Sequence, residues 1–359
     1  MKNIGIFAIT PAQIHFYRNI ICELNKKDTN TYLLVRDYGE TIQLVKEFEM
    51  PHFIFSRPPD SKYGKILNLP KEVLTAYKYL REKNVDLVTG FGIYESFTSA
   101  LLNVPAITFT DSEYSVNAFT YVIQFYISSL FTDKYITPTS FKQDLGKKQI
   151  RVNSFKELAY LHPKYYHPDD SIFPLLGLSK GEPYILIRFN AFDAVHDFGV
   201  TGFSLEEKIE MVRSLEKHMR VFISSEGSLP EELCKYQVRI PKNRIHDAIY
   251  FASLVITDTQ TMATEGAILG TPTIRCNGFV GSADMGNFIE LERRYGLLYN
   301  FSKYEEISPS SKKIIQNPNS KIECQRKREI LLNEKENITD LISQILIHSV
   351  KLENTPYAI

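Results

Sequence analysis

The sequence of 359 residues has no excess of either charge and few cysteines. Lysine and arginine together number 42, as do aspartate and glutamate, so the formal net charge is +0. This balance argues against a nucleic-acid-binding protein, which usually carries a basic excess or stripe. The four cysteines are far apart and form no CxxC or Cys/His cluster, so neither a zinc site nor a disulfide framework is indicated. A reduced, cytoplasmic protein is the simplest interpretation.

Long apolar runs are also absent. The first residues, Met1 to Ile9, lead directly into a predicted strand, and their apolar run is too short for the core of a signal peptide. The longest apolar stretch, Phe119 to Phe131, is interrupted by Gln124, Ser128 and Ser129 and is too short to span a bilayer. We therefore predict no transmembrane segment and a buried helix over Phe119–Phe131. A surface that contacts the membrane or a lipid-linked acceptor is the alternative.

What the sequence does contain is an alternation of strand-like and helix-like segments, once in each half. The predicted strands are Asn3–Ile9, Thr31–Val35, His52–Phe55, Val85–Thr89, Ala106–Phe109, Tyr184–Arg188, Arg220–Ser224, Val238–Ile240 and Leu254–Thr257. The intervening segments have helical spacing of their apolar residues. Such alternation implies a parallel sheet with right-handed crossovers in each half, and the chain length suggests two domains.

The predicted domain boundary lies near the segment from Lys156 to Asp170, which is rich in aromatic, His and Pro residues. We predict an N-terminal domain over residues 1–160, a C-terminal domain over 161–330, and a terminal helix and tail over 331–359 that packs on the N-terminal domain. The Lys/Glu-rich segment Ser308–Glu336 is interpreted as a solvated connection with weak helical character.

The most informative stretch runs from Leu254 to Arg275. A β-branched run ends at Asp258, a polar turn follows, and a helix of small residues carries Glu265 before Gly-Thr-Pro and a second apolar run. The free N–H groups at the start of that helix would attract a phosphate. Glu265, about one turn further along, would reach a ribose beside it. A capped helix packed on its sheet is the alternative.

Four stretches carry a resemblance to a known superfamily. They are Thr108–Tyr114, Lys156–Pro163, Leu186–Phe189 with His196 and Asp197, and Asp258–Arg275. The chain resembles the GT-B superfamily of nucleotide-sugar glycosyltransferases and UDP-N-acetylglucosamine 2-epimerases. Within it, the chain looks most like the uncharacterised family called domain of unknown function three-five-four. The resemblance implies an α/β fold of two Rossmann-like, doubly wound parallel-sheet domains that face a cleft, with the nucleotide in the second domain.

The resemblance also implies the nucleotide-binding residues. The backbone N–H groups of Thr261, Met262 and Ala263 would bind the diphosphate, and Glu265 would bind the ribose. Arg188 would bind phosphate, because its planar guanidinium gives two charge-assisted hydrogen bonds. A surface ion pair is the alternative for Arg188.

Three further residues are implied around the same ligand. Ser225 and Glu226, at the end of a predicted strand, would line the cleft. His246 precedes an apolar helix and would lie near the base of the nucleotide. A structural role at the start of that helix is the alternative for His246.

The first domain would supply the catalytic residues. His15 is a candidate general base because its unperturbed pKa lies near neutrality, although a structural partner on the helix is the alternative. Asp111 and Glu113 follow a predicted strand and would act as acid or base, or would cap the following helix.

Three functions remain open. The first is a glycosyltransferase that uses a nucleotide-sugar donor, UDP-linked, and an unknown acceptor. It would need no cofactor and no metal, because the helix dipole and basic side chains hold the leaving diphosphate. The second is a UDP-sugar 2-epimerase, against which Gly92-Ile-Tyr stands where the epimerases carry Gly-Asp-Thr. The third is a protein that binds a nucleotide-sugar without turnover.

Overall fold

The computed structural model describes residues 2–57, 68–113, 125–189, 203–225, 229–281 and 284–353. The chain divides into two compact units. Unit 1 comprises Met1–Ser112, Phe119–Tyr165 and Glu336–Ile359, and unit 2 comprises Glu113–Ala118 and Tyr166–Lys335. The chain therefore passes from unit 1 to unit 2 after Tyr165 and returns to unit 1 after Lys335. Its last helix belongs to unit 1.

Among the described residues, unit 1 contains a sheet of seven parallel strands in the order β3-β2-β1-β4-β5-β6-β7. The strands are β1 (Lys2–Ala8), β2 (Thr29–Arg36), β3 (His52–Ser56), β4 (Leu87–Gly90), β5 (Ala106–Phe109), β6 (Lys134–Pro138) and β7 (Gln149–Val152). The helices are α1 (Pro11–Asn25), α2 (Thr41–Glu47), α3 (Leu69–Glu82), α4 (Ile93–Leu102) and α5 (Leu158–Leu161), followed in space by the terminal helix Ile338–Glu353.

Local sequence explains the first of these elements. The apolar residues of β1 are buried from Ile4 onwards, as expected for a central strand with helices on both faces. α1 begins with Pro11, whose fixed φ suits the first helical position, and buries Ile14, Tyr17 and Ile20. The chain adds strands on one side of β1 up to β3 and on the other side from β4 onwards. The switch point therefore lies between β1 and β4, where Ile6 is opposite Thr89. Ligands bind outside the carboxyl ends of strands at such a switch point.

Unit 2 contains, in its described residues, a sheet of five parallel strands in the order β12-β11-β10-β8-β9. The strands are β8 (Tyr184–Phe189), β9 (Arg220–Ser225), β10 (Leu254–Thr257), β11 (Thr273–Cys276) and β12 (Tyr299–Phe301). The helices are α6 (Ile172–Leu175), α7 (Leu205–Leu215), α8 (Ile245–Phe251), α9 (Gln260–Ile268), α10 (Gly286–Ile289), α11 (Ile307–Gln316) and α12 (Ser320–Glu334), and Ile338–Glu353 is α13. The switch point of this sheet lies between β8 and β10, because β9 is added on one side of β8 and the later strands on the other. Arg188 is opposite Thr257 there.

The segment Ser308–Glu336, predicted as a solvated connection with weak helical character, is helical, but it is more than a connection. The segment forms α11 and α12, and α12 is fixed to unit 2 by polar side chains that reach carbonyl groups. The ammonium group of Lys321 donates to the carbonyls of Tyr250 and Ala252 at the end of α8 and to Oγ1 of Thr271. Burial lowers the pKa of Lys321 to about 7. A lysine can donate to the carbonyl groups that end a helix. Sequence analysis interpreted the charged residues of this segment as exposed and so did not predict this contact.

Side chains of α12 also bond to the carbonyl groups at the carboxyl end of α9. Gln325 Nε2 donates to the carbonyl oxygens of Leu269 and Gly270 at 2.8 and 3.0 Å, and Arg328 Nε donates to that of Ile268 at 2.9 Å. Gly270 has φ +67°, and a Cβ there would lie 3.0 Å from side-chain carbons of Gln325 and Arg328. The glycine of the Gly-Thr-Pro turn is therefore required both by its backbone conformation and by the close approach of α12.

Two other predictions fail in the described residues. Val238–Ile240 is not a strand, since the only pairing recorded beside it is a single bridge between Ile223 and Gln237. Residues 125–129 of the segment predicted as a buried helix are helical, but Tyr126 and Leu130 are 62% and 75% exposed. In the ranges that the structure describes, no helix combines the length and the hydropathy needed to cross a membrane.

Candidate functional site

Arg188 lies at the switch point of unit 2, near the carboxyl end of β8. Its Nη1 donates to Oγ of Ser224 on the neighbouring β9 at 2.6 Å, which ties the guanidinium to the carboxyl end of that strand. Ser224 is buried, and Ser225, the last residue of β9, is half-buried at the same edge. The predicted phosphate-binding residue is thus oriented by a hydroxyl on the neighbouring strand.

The amino end of α9 faces the same edge, because α9 follows β10 directly. Thr259, which precedes the helix, is extended and gives it no side-chain cap. Its hydroxyl bonds instead to Oγ1 of Thr257 at 2.8 Å. Within the described ranges, no side chain and no carbonyl from outside the helix accepts from the N–H of Thr261 or Met262. Uncapped N–H groups at the start of a helix form an anion-binding site that suits a phosphate.

Burial divides the three residues predicted to bind the diphosphate. Thr261 is half-buried, Met262 is 6% exposed, and Ala263 is fully buried. The backbone N–H of Ala263 has no access to solvent in this structure. The start of the helix is therefore more exposed at Thr261 than at the next two residues, and binding of a diphosphate by the three N–H groups stays a prediction.

His246 and Glu265 are partners of each other. Nε2 of His246 on α8 lies 3.0 Å from Oε1 of Glu265 on α9, and the two residues are 4% and 6% exposed. The residue predicted near the base and the residue predicted to bind ribose thus form one buried polar pair behind the amino end of α9. A carboxylate has lone pairs for more than one donor, so a bond to an imidazole is compatible with a further bond to a ribose hydroxyl.

Asp247 fixes the start of α8, on which His246 lies. Its carboxylate accepts from the hydroxyl of Tyr166 at 2.8 Å, from Asp169 N at 3.1 Å and from Arg244 Nε at 2.6 Å. Burial and the adjacent carboxylate raise the pKa of Tyr166. These contacts restrict the rotation of α8 and so the position of the imidazole.

Glu113 belongs to unit 2, unlike the other two predicted catalytic residues. It is 1% exposed, and its Oε1 accepts from the backbone N–H of Gly286 at the start of α10 at 3.1 Å. The turn before α10 is held by Asp284, which forms two hydrogen bonds of 2.9 and 3.0 Å with the fully buried Arg275. Sequence analysis did not single out Arg275, although an arginine inside an apolar strand such as β11 signals a buried ion pair.

His15 and Asp111 lie in unit 1. The His15 ring is 5% exposed and contacts the rings of Phe48 and Tyr160, with centroids 5.4 and 5.2 Å away. Asp111 forms an ion pair with Lys156, with Nζ and Oδ2 2.7 Å apart. Lys156 opens one of the stretches that carry the family resemblance, so this stretch contacts a candidate catalytic residue directly. Glu226, His196 and Asp197 lie outside the described residues.

Glu95 is a buried acid at the switch point of unit 1 that sequence analysis missed. Its Oε1 accepts from Gly92 N at 2.5 Å and from Thr108 Oγ1 at 3.0 Å. Burial raises the pKa of Glu95 to about 7. A Cβ on Gly90 would lie 2.5 Å from Oε2, so only glycine fits beside this carboxyl. The signal was present in the sequence, because Glu stands three residues after Gly92, the spacing of an acid that caps its own helix.

No cluster of three or more His, Cys, Asp or Glu side chains suited to a metal ion occurs within the parts of the chain that the structure describes. The independence of the activity from metal remains a prediction.

Comparison with known proteins places the chain in a family. Residues 4–350 match the model of the family described as "Protein of unknown function (DUF354)". No curated protein sequence matches the chain.

Several solved structures are similar over nearly the whole chain. The S. aureus MnaA–UDP co-structure is similar with a TM-score of 0.70 at 10% identity, covering 98% of this chain and 96% of that one. UDP-GlcNAc 2-epimerase from Neisseria meningitidis bound to UDP-GlcNAc gives 0.62 at 13% identity, covering 99% and 100%. The Streptomyces sp. SF2575 glycosyltransferase SsfS6, complexed with thymidine diphosphate, gives 0.59 at 14% identity, covering 96% and 100%. These similarities confirm the predicted α/β fold with two parallel sheets of the GT-B type.

Proposed function

This chain belongs to the DUF354 family, and we propose that it is a glycosyltransferase that takes a UDP-linked sugar as donor and transfers the sugar to an acceptor still to be identified. It would act without a metal or other cofactor. One observation carries the proposal most directly. At the switch point of unit 2, the residue opposite Arg188 is the last residue of β10, from which the chain enters the uncapped start of α9. A cation and uncapped N–H groups at the same edge of one sheet suit a diphosphate.

The donor would be held by groups of unit 2. The N–H groups of Thr261 and Met262 would bind the diphosphate together with Arg188, and the positive end of α9 would stabilise the charge that develops on the leaving group. Glu265 would accept hydrogen bonds from the ribose hydroxyls. His246 would hold the Glu265 carboxylate in place and border the base.

The acceptor needs a general base that removes its proton as the new glycosidic bond forms. His15 is the stronger candidate in unit 1, because histidine is the side chain that most often serves as a general base. Asp111 is already paired with Lys156, so its carboxylate is less available to an acceptor hydroxyl. Glu113 would contribute by holding the start of α10, through its bond to Gly286.

A second candidate function is epimerisation at C2 of a UDP-sugar. It is favoured by Glu113, an acid that belongs to the same unit as Arg188, His246 and Glu265. An epimerase must remove and return a proton on the sugar itself, which requires an acid or base on the side of the donor. A protein that binds the donor without turnover is the third outcome that the experiments distinguish.

A thermal-shift series with UDP, GDP, ADP, CMP and their sugars tests the proposed binding. A ligand that binds the folded state raises the midpoint of unfolding by mass action, so the nucleotide class is read directly. UDP and UDP-sugars should raise the midpoint, and the other nucleotides should not. The absence of a shift with every uridine nucleotide would refute the donor assignment.

Product analysis then separates the functions. Release of UDP only when an acceptor extract is added supports transfer. A product with inverted C2 configuration, or release of UDP without any acceptor, supports epimerisation. Saturable binding with no product in either assay supports the binding protein.

A further inference from the structure

Exposed apolar side chains are concentrated in one part of unit 1. Of the large hydrophobic residues that are exposed in the described chain, four fall between residues 126 and 131. They are Tyr126, Ile127, Leu130 and Phe131, which are 62%, 45%, 75% and 41% exposed. Singly exposed apolar residues need no explanation, but a contiguous patch marks a surface that contacts something.

A fifth residue extends the patch. Phe131 contacts Phe97 on α4, with ring centroids 5.6 Å apart, and lines a shallow cavity of about 200 Å³ with Ala100 and Asn103. Leu101 is 49% exposed and stands one helical turn after Phe97, so it lies on the same side of α4. The apolar patch is thus formed by Leu101, Tyr126, Ile127, Leu130 and Phe131.

Three exposed lysines border this patch. Lys148 Nζ donates to the carbonyl oxygens of Ser129 and Thr132, at 2.7 Å each, and so lies against the backbone of the turn that carries Leu130 and Phe131. Lys134 Nζ donates to the carbonyl oxygen of Lys147 at 3.1 Å, which keeps these two lysines together. The lysine rim consists of Lys134, Lys147 and Lys148.

The lysines of the rim outnumber the acids nearest in sequence. Asp133 accepts from the backbone N–H of Ala106 at 2.8 Å, and Asp144 accepts from that of Gly146 at 2.9 Å. A backbone partner does not remove the charge of a carboxylate, so three lysines stand against two acids. The surface combines projecting aliphatic and aromatic groups with a small excess of positive charge.

The position of the patch within unit 1 leaves the ligand edge free. Phe131 precedes β6, Lys148 precedes β7, and Leu101 closes the helix before β5. All three therefore lie at the amino ends of the strands. Glu95 and the switch point lie at the carboxyl ends. A surface bound to the patch would not cover that edge of the sheet.

We propose that this patch and its lysine rim form a docking surface for a membrane that contains anionic lipids. The apolar side chains would enter the region between headgroups and acyl chains, and the lysines would contact the phosphates. Charge favours a membrane over a second copy of this chain. In a symmetric dimer the same patch would face itself, which would bring the three lysines of one copy against those of the other. The proposal does not depend on the activity proposed above.

Flotation of the full-length protein with vesicles tests the proposal. One set of vesicles contains phosphatidylcholine alone, and the other contains phosphatidylcholine mixed with phosphatidylglycerol. The protein should float with the anionic vesicles, weakly with the neutral ones, and less at high salt, because salt screens exposed charges. Failure to float with the anionic vesicles at low salt would overturn the proposal.

Two variants and two matched controls locate the surface. Leu130→Ser should lower the partition coefficient about tenfold, the effect of losing one buried leucine. Lys147→Glu should lower it at least about fivefold, the effect of one lysine at an anionic surface. Ile330→Ser, at a residue 55% exposed on α12, and Lys217→Glu, on the surface of unit 2, should leave it unchanged. Equal loss in variants and controls would contradict the location.

Two further measurements test whether misfolding or self-association explains a loss of flotation. The midpoint of thermal unfolding should be the same for Leu130→Ser and the wild-type protein, because the side chain is exposed. Sedimentation velocity should show the same species for both. A wild-type dimer that Leu130→Ser dissociates would assign the patch to a second copy and reject the membrane.

Discussion

His246 on α8 and Glu265 on α9 are joined across 3.0 Å, although each was predicted to contact a different part of the nucleotide. The pair connects two helices that start at neighbouring positions on the carboxyl edge of the sheet in unit 2. Because the two buried side chains are in contact, a substitution of either one changes the environment of the other. This coupling determines what mutations at the site should do.

Glu265→Gln should weaken UDP binding about tenfold, because the amide loses charge-assisted hydrogen bonds to ribose. It should leave the fold intact, since glutamine can still bond to His246. Isothermal titration with UDP measures the change. Glu206→Gln, at an exposed position on α7, is the matched control. Wild-type affinity in Glu265→Gln would remove this residue from the ribose site.

Arg188→Lys should reduce the affinity for UDP more than that for uridine. A lysine is a point charge and cannot give the two parallel hydrogen bonds of a guanidinium, nor reach Ser224 with the same geometry. The ratio of the two dissociation constants is the readout, and Arg213→Lys on the surface of α7 is the control. If the ratio matched that of the wild-type protein, Arg188 would not contact the diphosphate.

His15→Ala should lower turnover by about a hundredfold, the usual effect of removing a general base. Affinity for UDP should be unchanged, because His15 lies in unit 1. Since the ring packs against Phe48 and Tyr160, the variant His15→Gln keeps part of the packing and separates chemistry from stability. Full activity in His15→Gln would exclude His15 as the base.

Glu95→Gln should change how the free energy of unfolding depends on pH. The pKa of Glu95 is raised from 4.5 to about 7 in the folded state, so its contribution is fully present below 4.5 and is lost as the pH rises through about 7. The wild-type protein should lose up to about 1.4 kcal/mol per pH unit in this window from this group, and the variant should not. Urea unfolding at several pH values measures the slope. Parallel slopes for the two proteins would contradict the raised pKa.

Lys321→Met should act in the opposite sense at higher pH. The pKa of Lys321 is lowered from 10.5 to about 7, so its contribution is present above 10.5 and is lost as the pH falls through about 7. The wild-type protein should therefore become more stable from pH 7 towards pH 10, and the variant should show a flatter profile. Lys312→Met, on the exposed surface of α11, is the control. A rise that persists in Lys321→Met would assign it to other groups.

The sequence predicted the elements whose local signals agree with their tertiary setting. β10, α9 and β11 combine a β-branched run, a helix of small residues and a glycine turn, and each lies where predicted. β12 has only three residues, two of them polar or exposed, so hydrophobic periodicity could not detect it. Val238–Ile240 has the composition of a strand, but it lies next to a single bridge at the edge strand β9.

Contacts between distant residues were beyond prediction. Lys321 reaches carbonyl groups of Tyr250 and Ala252, about seventy residues earlier in the chain, and its charge suggested a solvated segment. Glu113 was assigned with the first half of the chain, yet it accepts from Gly286. No local pattern encodes such partners, because they depend on how the helices pack.

Three side chains of α12 bond to the carbonyl groups at the ends of α8 and α9, so the last helix of unit 2 supports the two helices that start at the carboxyl edge of its sheet. A shortened protein that stops at Gln316 would lose Lys321, Gln325 and Arg328 together. The helices that bear His246 and Thr261 would then fray from their far ends. Any truncated version intended for binding studies of unit 2 must accordingly extend through Glu334.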